Sequence, residues 1–388
     1  MFRRSLSPHI QKLAKKYPIV TLLGPRQSGK TTLVKSAFPK MPYVNMEDAE
    51  NRSLATLDPK SFMEAYKQGA ILDEIQRTPH LLSYLQVHVD QVNRNGMYIL
   101  TGSHQADLHA AVSQSLAGRT AILKLFPLSL EEMSQAKLVD SLDEILLKGG
   151  YPRIYKEDLP LSNAFSSYFQ TYVERDVRQI LQIKDLIQFE RFIRLTASRI
   201  GQLVNYASLA SDVGVSAVTI KEWISVLEAT YILIRLEPYF ENFGKRMIKS
   251  PKLYFVDTGL ACHLLGIETV EQLKRDSLYG NLFENWIVME LFKSYYNQAR
   301  TPHFYFYRDV SGKEVDMILQ RGSRLIPIEI KSSKTFSPND LKGLYYFHAQ
   351  AAQKAEGGIL IYGGEKTQKI DQFELLSSKR IHEFTLNE

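Results

Sequence analysis

The stretch GPRQSGKT has the residue types and spacing of a loop that binds phosphate. It matches the pattern of glycine, four residues, glycine, lysine and threonine, it follows an apolar run, and it opens a predicted helix. The glycines allow the backbone to fold tightly around phosphates and to aim N–H groups at negative charge. Lys30 would reach the β- and γ-phosphates of ATP and Thr31 would ligate Mg2+, whereas the alternative is a chance match on a glycine-containing loop. The predicted nucleotide-binding residues are Gly24, Pro25, Arg26, Gln27, Ser28, Gly29, Lys30, Thr31 and Thr32.

Two adjacent acids follow the apolar run AIL, and they are the second sign of a nucleotide site. Ligands of open α/β sheets bind at the carboxyl ends of the strands, where Asp73 and Glu74 would lie. Asp73 is predicted to hold Mg2+, directly or through water, and Glu74 to polarise the attacking water. A solvated acidic loop is the alternative.

The run MYILTGS ends in Thr101 and Ser103, whose hydroxyl groups are suited to sensing a γ-phosphate or positioning water. Ser103 is equally suited to capping a helix. Arg119 is a candidate arginine finger, acting in its own subunit or on a neighbouring one, because charge on a transferring phosphoryl group needs a cation. An ordinary surface salt bridge is the alternative for Arg119.

The stretch EVDMILQRGSRLIPIEIK predicts two strands, at 315–319 and 325–330, joined by a glycine turn. Asp316, Glu329 and Lys331 lie in or beside these strands, where charges are unfavourable unless they are paired or bind a metal. Glu329 and Lys331 share one side of their strand, since side chains repeat every two residues. Asp316 and Glu329 are predicted to converge on Mg2+, with Lys331 orienting or activating water or stabilising the pentavalent phosphate. The alternative is a structural salt bridge of Lys331 across the hairpin.

The region from 205 to 259 has the pattern of a helix-turn-helix with a wing. Gly214 would allow the turn between a short helix and a second helix at 216–229. A winged helix commonly places its second helix in the major groove of DNA, but packing between domains explains the pattern as well. The predicted core contacts of the second helix are Val218, Trp223, Val226 and Leu227, and the basic residues near the wing tip are Lys245, Arg246 and Lys249.

The elements around these residues alternate between strand and helix patterns over 18–130, which predicts an α/β fold with a mostly parallel sheet. The sequence has helical patterns from about 160 to 235, and strand patterns follow. The 388 residues contain 44% hydrophobic and 23% charged residues, and the formal net charge is +6. This composition is typical of a globular protein, and no run is long enough to span a membrane. A cytoplasmic location is predicted, and the single Cys262 fits a reducing compartment.

Together the motifs resemble the ATPase domain of a prokaryotic family of AAA-type ATPases whose carboxyl-terminal domain has no known function. The segments that carry the resemblance are GPRQSGKTTL, ILDEIQ, LTGS, LAGRTAILKLFPLSLEE, GGYPRI, YVERDV, PKLYFVDTGLA, GNLFENWIVMEL, EVDMIL and IEIKSS. The resemblance therefore covers almost the whole chain and implies ATP and Mg2+ as cofactors.

A second resemblance concerns the carboxyl-terminal region. Glu284 on a predicted helix, Asp316 on a strand and then Glu329-Ile-Lys331 follow the order of the restriction-endonuclease-like nuclease core. This resemblance implies that Glu284 joins the metal ligands and that Lys331 acts in catalysis. The resulting domain predictions are an AAA-type P-loop ATPase domain at 1–160, a helical, winged-helix-like region at 161–262 and a nuclease-like α/β domain at 263–388.

Two functions of different classes remain open. In the first, an ATPase controls a winged helix and a nuclease-like domain that act on DNA. In the second, a nucleotide-driven switch binds a protein partner and the carboxyl-terminal domain is a scaffold without catalysis. The predicted partners are ATP and, as alternatives, DNA, further copies of the chain or another protein, with no membrane.

Overall fold

The structure is a computed structural model that describes residues 2–103, 115–138, 141–172, 185–240 and 249–385. Within these residues, no helix is both long enough and apolar enough to cross a lipid bilayer.

The first part of the chain folds around a parallel sheet. Its described strands are β1 Ile19–Leu23, β2 Tyr43–Asn45, β3 Ala70–Asp73, β4 Tyr98–Gly102 and β5 Thr120–Lys124. They lie in the order β2-β3-β4-β1-β5, and every neighbouring pair is parallel. All residues of β1, β3 and β4 are buried, as expected for a parallel sheet covered on both faces. The predicted α/β fold with a parallel sheet is confirmed.

Helices cover both faces of this sheet. They are α1 Ser7–Ala14, α2 Lys30–Ala37, α3 Ala49–Leu57, α4 Pro59–Ala65 and α5 Leu81–Val92. Ile19 and Leu23 of β1 pack in one core with α5, whereas Val20 and Leu22 pack in another with α1 and α2. Successive side chains of a strand point to opposite faces, so an unbroken apolar run supplies both cores.

The middle of the chain is helical. Its described helices are α6 Leu130–Gln135, α7 Leu142–Lys148, α8 Pro152–Glu157, α9 Leu161–Tyr168, α10 Leu186–Ala197, α11 Tyr206–Val213 and α12 Ala217–Ala229. Two antiparallel strands follow, β6 Leu233–Leu236 and β7 Lys252–Phe255.

Helices α11 and α12 are joined at Gly214, whose φ of +86° lies in the left-handed region that favours glycine. Trp223 and Leu227 of α12 are buried as predicted, and Val226 is partly buried. The predicted core contact of Val218 is wrong, because its side chain lies on the solvent face of α12 and is 63% exposed.

The last part of the chain forms a mixed sheet flanked by helices. The helices are α13 Thr258–Leu265, α14 Val270–Arg275, α15 Tyr279–Asn297 and α16 Lys342–Ala351. The strands are β8 Phe304–Arg308, β9 Glu314–Arg321, β10 Arg324–Lys331, β11 Ile359–Tyr362, β12 Gln368–Ile370 and β13 Phe373–Ser377, in the order β12-β13-β11-β10-β9-β8. The predicted hairpin is β9 and β10, which pair antiparallel and turn at Gly322 with φ +58°. Short 3-10 helices complete the described chain at Ile75–Arg77, Pro338–Leu341, Ala352–Lys354 and Ser378–Thr385.

One hydrophobic core joins the helical middle to the carboxyl-terminal part. It runs from Leu128 through α15 to Ile381 and therefore crosses the predicted boundary at 262. The predicted domain limits stay a prediction.

Candidate functional site

The phosphate-binding loop connects the end of β1 to the start of α2. Gly24 has a φ of +149°, and a Cβ atom there would lie 2.1 Å from the backbone oxygen of Leu125. Gly29 has a φ of +93° and precedes Lys30, the first residue of α2. Gly24 therefore has no room for a side chain, and the backbone conformation at Gly29 is one that residues other than glycine rarely adopt.

The Lys30 side chain is buried in this loop. Its ammonium donates hydrogen bonds to the carbonyl oxygens of Gly24 at 2.9 Å and Pro25 at 2.8 Å. Burial lowers the pKa of Lys30, and the charges of Glu74 and Asp73 act in the opposite direction. The ammonium thus lies at the loop, where a phosphate oxygen can replace a carbonyl as its acceptor.

Asp73 ends β3 beside the start of α2, and its side chain is surrounded by hydroxyl donors. The hydroxyl of Thr31 donates to Asp73 Oδ2 at 2.9 Å, and that of Tyr43 donates to the same oxygen at 2.7 Å. The hydroxyl of Thr101 donates to the other oxygen, Oδ1. A carboxylate and a hydroxyl oxygen this close are ligands of the kind that Mg2+ takes alongside water and phosphate. Thr31 and Asp73 therefore fit a Mg2+ site.

Glu74 follows β3 with a left-handed backbone, φ +57°, which is uncommon for a residue other than glycine. Its N–H donates to Thr101 Oγ1 at 3.1 Å, and its carboxylate accepts from Ser103 Oγ at 3.0 Å and from the Gln76 amide. Burial raises the pKa of Glu74, but the charge of Lys30, the hydrogen bond from Gln76 and further partners bring the pKa below its usual value. Glu74 is therefore an ionised acceptor. The alternative of a helix cap at Ser103 concerns residues 104–114, which lie outside the described residues.

Arg119 is not brought to this site. It precedes β5 and aligns with the start of β1, at the edge of the sheet opposite the phosphate-binding loop. Its guanidinium donates to both carboxylate oxygens of Asp90, at 2.6 and 2.7 Å, and this bond raises the pKa of Arg119. The predicted finger within its own subunit is therefore wrong, because β5 separates Arg119 from the loop. A finger on a neighbouring subunit stays a prediction.

A cavity of about 540 Å³ opens beside the phosphate-binding loop. Binding sites for small molecules and cofactors are commonly of this size. One wall comes from the loop and Glu74, and the other from helix α8 and the residues after α9. Its lining residues are Phe2, Arg4, Arg26, Gln27, Gly29, Lys30, Thr31, Thr32, Leu33, Glu74, Pro152, Arg153, Lys156, Glu157, Thr171 and Tyr172.

The carboxyl-terminal charges form a second, separate cluster, in which Glu284 has two unforeseen partners. The ammonium of Lys252, which begins β7, lies 3.3 Å from Glu284 and 2.5 Å from Glu314. The hydroxyl of Tyr254 donates to Glu284 at 2.6 Å. Burial works against the charge of Lys252, but Tyr254 and the carboxylates Glu284, Asp316 and Glu314 hold its pKa well above the usual value. A buried lysine thus occupies the centre of this cluster.

Asp316, Glu329 and Lys331 do meet, as predicted. Lys331 Nζ lies 2.8 Å from Glu329 and 3.4 Å from Asp316, and the N–H of Ile330 donates to Asp316 at 2.8 Å. Burial and the charge of Asp316 raise the pKa of Glu329. Burial also acts to raise the pKa of Asp316, but the charges of Lys331 and Lys252 bring it below its usual value. In the described part of the chain, no three or more acidic, histidine or cysteine side chains are arranged to hold a metal. A metal role for Glu284, Asp316 and Glu329 stays a prediction.

Comparison with known proteins agrees with the order of these elements. An AAA domain profile matches residues 16–134, a profile of unknown function, DUF8612, matches 139–271, and a second one, DUF4143, matches 279–381. The uncharacterized protein Rv2008c of Mycobacterium tuberculosis is 31% identical over 86% of this chain and 74% of its own length. The chain belongs to a family of P-loop ATPases with a carboxyl-terminal DUF4143 domain.

More distant relatives of this DUF4143 ATPase chain include an uncharacterized protein of Haemophilus influenzae, 25% identical over 80% of this chain and 82% of its own. Among solved structures, the Walker-type ATPase PABY2304 of Pyrococcus abyssi has a TM-score of 0.46 and 16% identity, with 68% of this chain and 96% of that one covered.

Sequence reasoning missed three side chains that the structure of this DUF4143 ATPase places at its two sites. Tyr43 lies in a short strand and gave no polar signal of its own. Tyr172 lies in the family segment YVERDV, for which the sequence predicts no role, and Lys252 lies in PKLYFVDTGLA, which was interpreted as a strand of the wing. Their place in segments that carry the family resemblance was the available signal. Of the predicted wing-tip residues, Lys245 and Arg246 lie outside the described residues and Lys249 is exposed.

Proposed function

We propose that this chain is a Mg2+-dependent ATPase whose nucleotide state controls a helical region that contacts DNA. One observation carries the proposal. Lys30, the Thr31–Asp73 pair and Glu74 converge beside one cavity large enough for a nucleotide.

Each residue has a distinct task in this proposal. The ammonium of Lys30 donates hydrogen bonds to phosphate oxygens in place of the carbonyl oxygens of Gly24 and Pro25. Thr31 and Asp73 would hold Mg2+, which would supply positive charge beside the phosphates. Glu74 polarises the attacking water, and Ser103 orients its carboxylate. Thr101 donates to the Asp73 carboxylate and accepts from the backbone N–H of Glu74, which links the two positions.

The first experiment measures nucleotide binding and hydrolysis separately. Lys30→Ala should lose most ATP binding, because the cation at the phosphates is removed. Glu74→Gln should bind ATP nearly normally but hydrolyse it at least about 100-fold more slowly, since the metal ligands stay and the base is lost. Glu64→Gln is the matched control, because Glu64 is exposed, pairs with Lys67 and does not line the cavity. Normal turnover by Glu74→Gln would contradict the proposed base.

Contacts between the loop and the helical region support the coupling. The guanidinium of Arg26 lies 5.6 Å from the centre of the Tyr172 ring. The Tyr172 hydroxyl donates at 2.6 Å to the carbonyl of Thr230, which directly follows α12. A nucleotide that moves Arg26 therefore changes the surroundings of the residue that holds the end of α12.

Helix α12 has the exposed face that DNA contact requires. Lys221, Ser225 and Val218 are exposed on it, and Lys249 is exposed beside the start of β7. A helix-turn-helix followed by two antiparallel strands is the arrangement of a winged helix, whose second helix enters the major groove.

Salt dependence of binding tests the DNA contact. Each phosphate contact contributes about 0.9 to the slope of log K against log salt concentration. The double variant Lys221→Ala, Lys249→Ala should lower that slope by about 1.8 if each lysine contacts one phosphate. Lys60→Ala, an exposed lysine on α4, is the control and should leave the slope unchanged. An unaltered slope in the double variant would assign α12 to packing between domains.

A specific observation favours the second candidate for the carboxyl-terminal domain, a scaffold without catalysis. Lys331 contacts Asp316 and Glu329, and Lys252 contacts Glu284, so cations supplied by the chain itself already pair with the three carboxylates predicted to bind a metal. A cleavage assay on single-stranded, duplex and branched DNA, with Mg2+ and with or without ATP, separates the candidates. Cleavage that Asp316→Asn abolishes would establish the nuclease, and its absence would leave the scaffold.

A further inference from the structure

With Arg119 excluded from the site of its own subunit, the nucleotide site has Lys30 for the β- and γ-phosphates but no assigned arginine. Such a cation stabilises the charge that spreads over the transferring phosphoryl group. Three arginines line the cavity, namely Arg4, Arg26 and Arg153. Their existing contacts indicate which of them could turn towards a phosphate.

Arg4 has a structural role. Its side chain is buried and donates to the carbonyls of Ser28 and Phe126, both at 2.6 Å, and to Glu132 at 3.1 Å. Moving it would leave those buried acceptors without their donor, which is costly. Arg153 faces outward, since its side chain is 56% exposed and pairs with Glu157 one turn along the same helix at 2.9 Å.

Arg26 lies within the phosphate-binding loop itself. Its side chain is 18% exposed and contacts Glu47 at 3.3 Å and the Tyr172 ring at 5.6 Å. An ion pair with a partner that is 42% exposed contributes little, and a cation over an aromatic ring is also a modest interaction. A bidentate bond to a phosphate is stronger than either of these two contacts.

The charge of Arg26 already acts on the two groups that face the phosphates. Burial is the largest influence lowering the pKa of Lys30, and Arg26 lowers it further. Burial raises the pKa of Glu74, but Arg26 is among the groups that bring it down. All three side chains line the same cavity, beside which a γ-phosphate would bind.

We propose that Arg26 is the arginine that contacts the γ-phosphate of ATP, within its own subunit, and that it leaves Glu47 and Tyr172 to do so. This inference rests on the proposed ATPase function. In the reaction, water adds to the γ-phosphorus and gives its proton to Glu74. The bond from the γ-phosphorus to the bridging oxygen breaks, and ADP keeps the electron pair. Arg26 stabilises the charge on the phosphoryl oxygens throughout.

The test compares Arg26→Ala and Arg26→Lys with Arg77→Ala. Arg77 is a matched control, because it approaches the same Glu47 oxygen at 3.7 Å without lining the cavity. Arg26→Ala should lower kcat by about 100-fold or more, as loss of a transition-state donor does. Affinity for ADP, which has no γ-phosphate, should stay within about threefold, and Arg26→Lys should recover part of kcat. Free guanidinium ion should also restore turnover to Arg26→Ala, which a structural defect would not allow.

Three results would overturn the inference. They are a kcat of Arg26→Ala within about threefold of the wild type, an equal loss of ADP affinity and kcat, and an equal kcat loss in Arg77→Ala. Mixing Arg26→Ala with Lys30→Ala tests the subunit: recovered activity would place the arginine on a neighbouring copy, whereas no recovery supports action in the same chain. Absence of turnover in the wild type would instead refute the proposed ATPase function.

Discussion

Replacing Lys252 by Met is expected to lower the free energy of unfolding by about 3 kcal/mol. The Lys252 side chain is 4% exposed and contacts Glu284 and Glu314. Loss of one partner from a buried ion pair costs about 3–5 kcal/mol, because a charge stays buried without compensation. The lower end applies because Tyr254 still donates to Glu284 and Arg308 still pairs with Glu314 at 2.7 Å. Met keeps most of the apolar stem of lysine, so the change removes mainly the charge.

Urea unfolding followed by tryptophan fluorescence measures this effect, with Trp286 as a buried reporter two residues from Glu284 on α15. Adding Glu284→Gln to Lys252→Met should recover much of the loss, since removing both charges is far less costly than removing one. Lys274→Met is the control, because Lys274 is 55% exposed and its pair with Asp143 is worth at most about 1 kcal/mol. A Lys252→Met variant within about 0.5 kcal/mol of the wild type, or no recovery in the double variant, would refute the buried-pair reasoning.

Three further changes test other parts of the structure. Gly24→Ala should abolish ATP binding, because its Cβ would meet a backbone oxygen at 2.1 Å; nucleotide titration checks this, and wild-type affinity would contradict the loop geometry. Tyr43→Phe should raise the Mg2+ concentration needed for half-maximal hydrolysis by about tenfold, because the hydrogen bond that orients the metal ligand Asp73 is lost. An unchanged Mg2+ titration would contradict that orientation. Asp316→Asn should lower thermal stability if Asp316 serves as the partner of Lys331, but should lower Mn2+ binding with little destabilisation if Asp316 is a metal ligand. Calorimetric melting and Mn2+ titration of that variant distinguish the two outcomes.

The sequence alone determined the parts of this protein whose information is local. The loop from Gly24 to Thr31 needs two glycines and a following helix, and all of these are contiguous in the chain. The predicted position of the two acids at the end of β3 depends only on the direction of the strand. The shared side of Glu329 and Lys331 depends only on the two-residue period of side chains in a strand. The pairing of Lys331 with Glu329 could therefore be predicted before any fold was known.

Tertiary structure decided which distant residues meet. Arg119 has the residue type of a finger, but the parallel register of β5 with β1 places it beside the start of β1, whereas the loop follows the end of β1. Tyr172 and Arg26 meet because the helical region folds back over the cavity.

The partners of Lys252 are the clearest example of contacts that the sequence alone does not predict. In the sequence it is one lysine at the start of a strand in a region interpreted as a wing. In the fold it is buried among Glu284, Glu314 and Asp316, which come from a later helix and strand. A charge pattern along the chain does not specify such partners, because the energy of a buried ion depends on which groups the whole fold brings within a few ångströms of it.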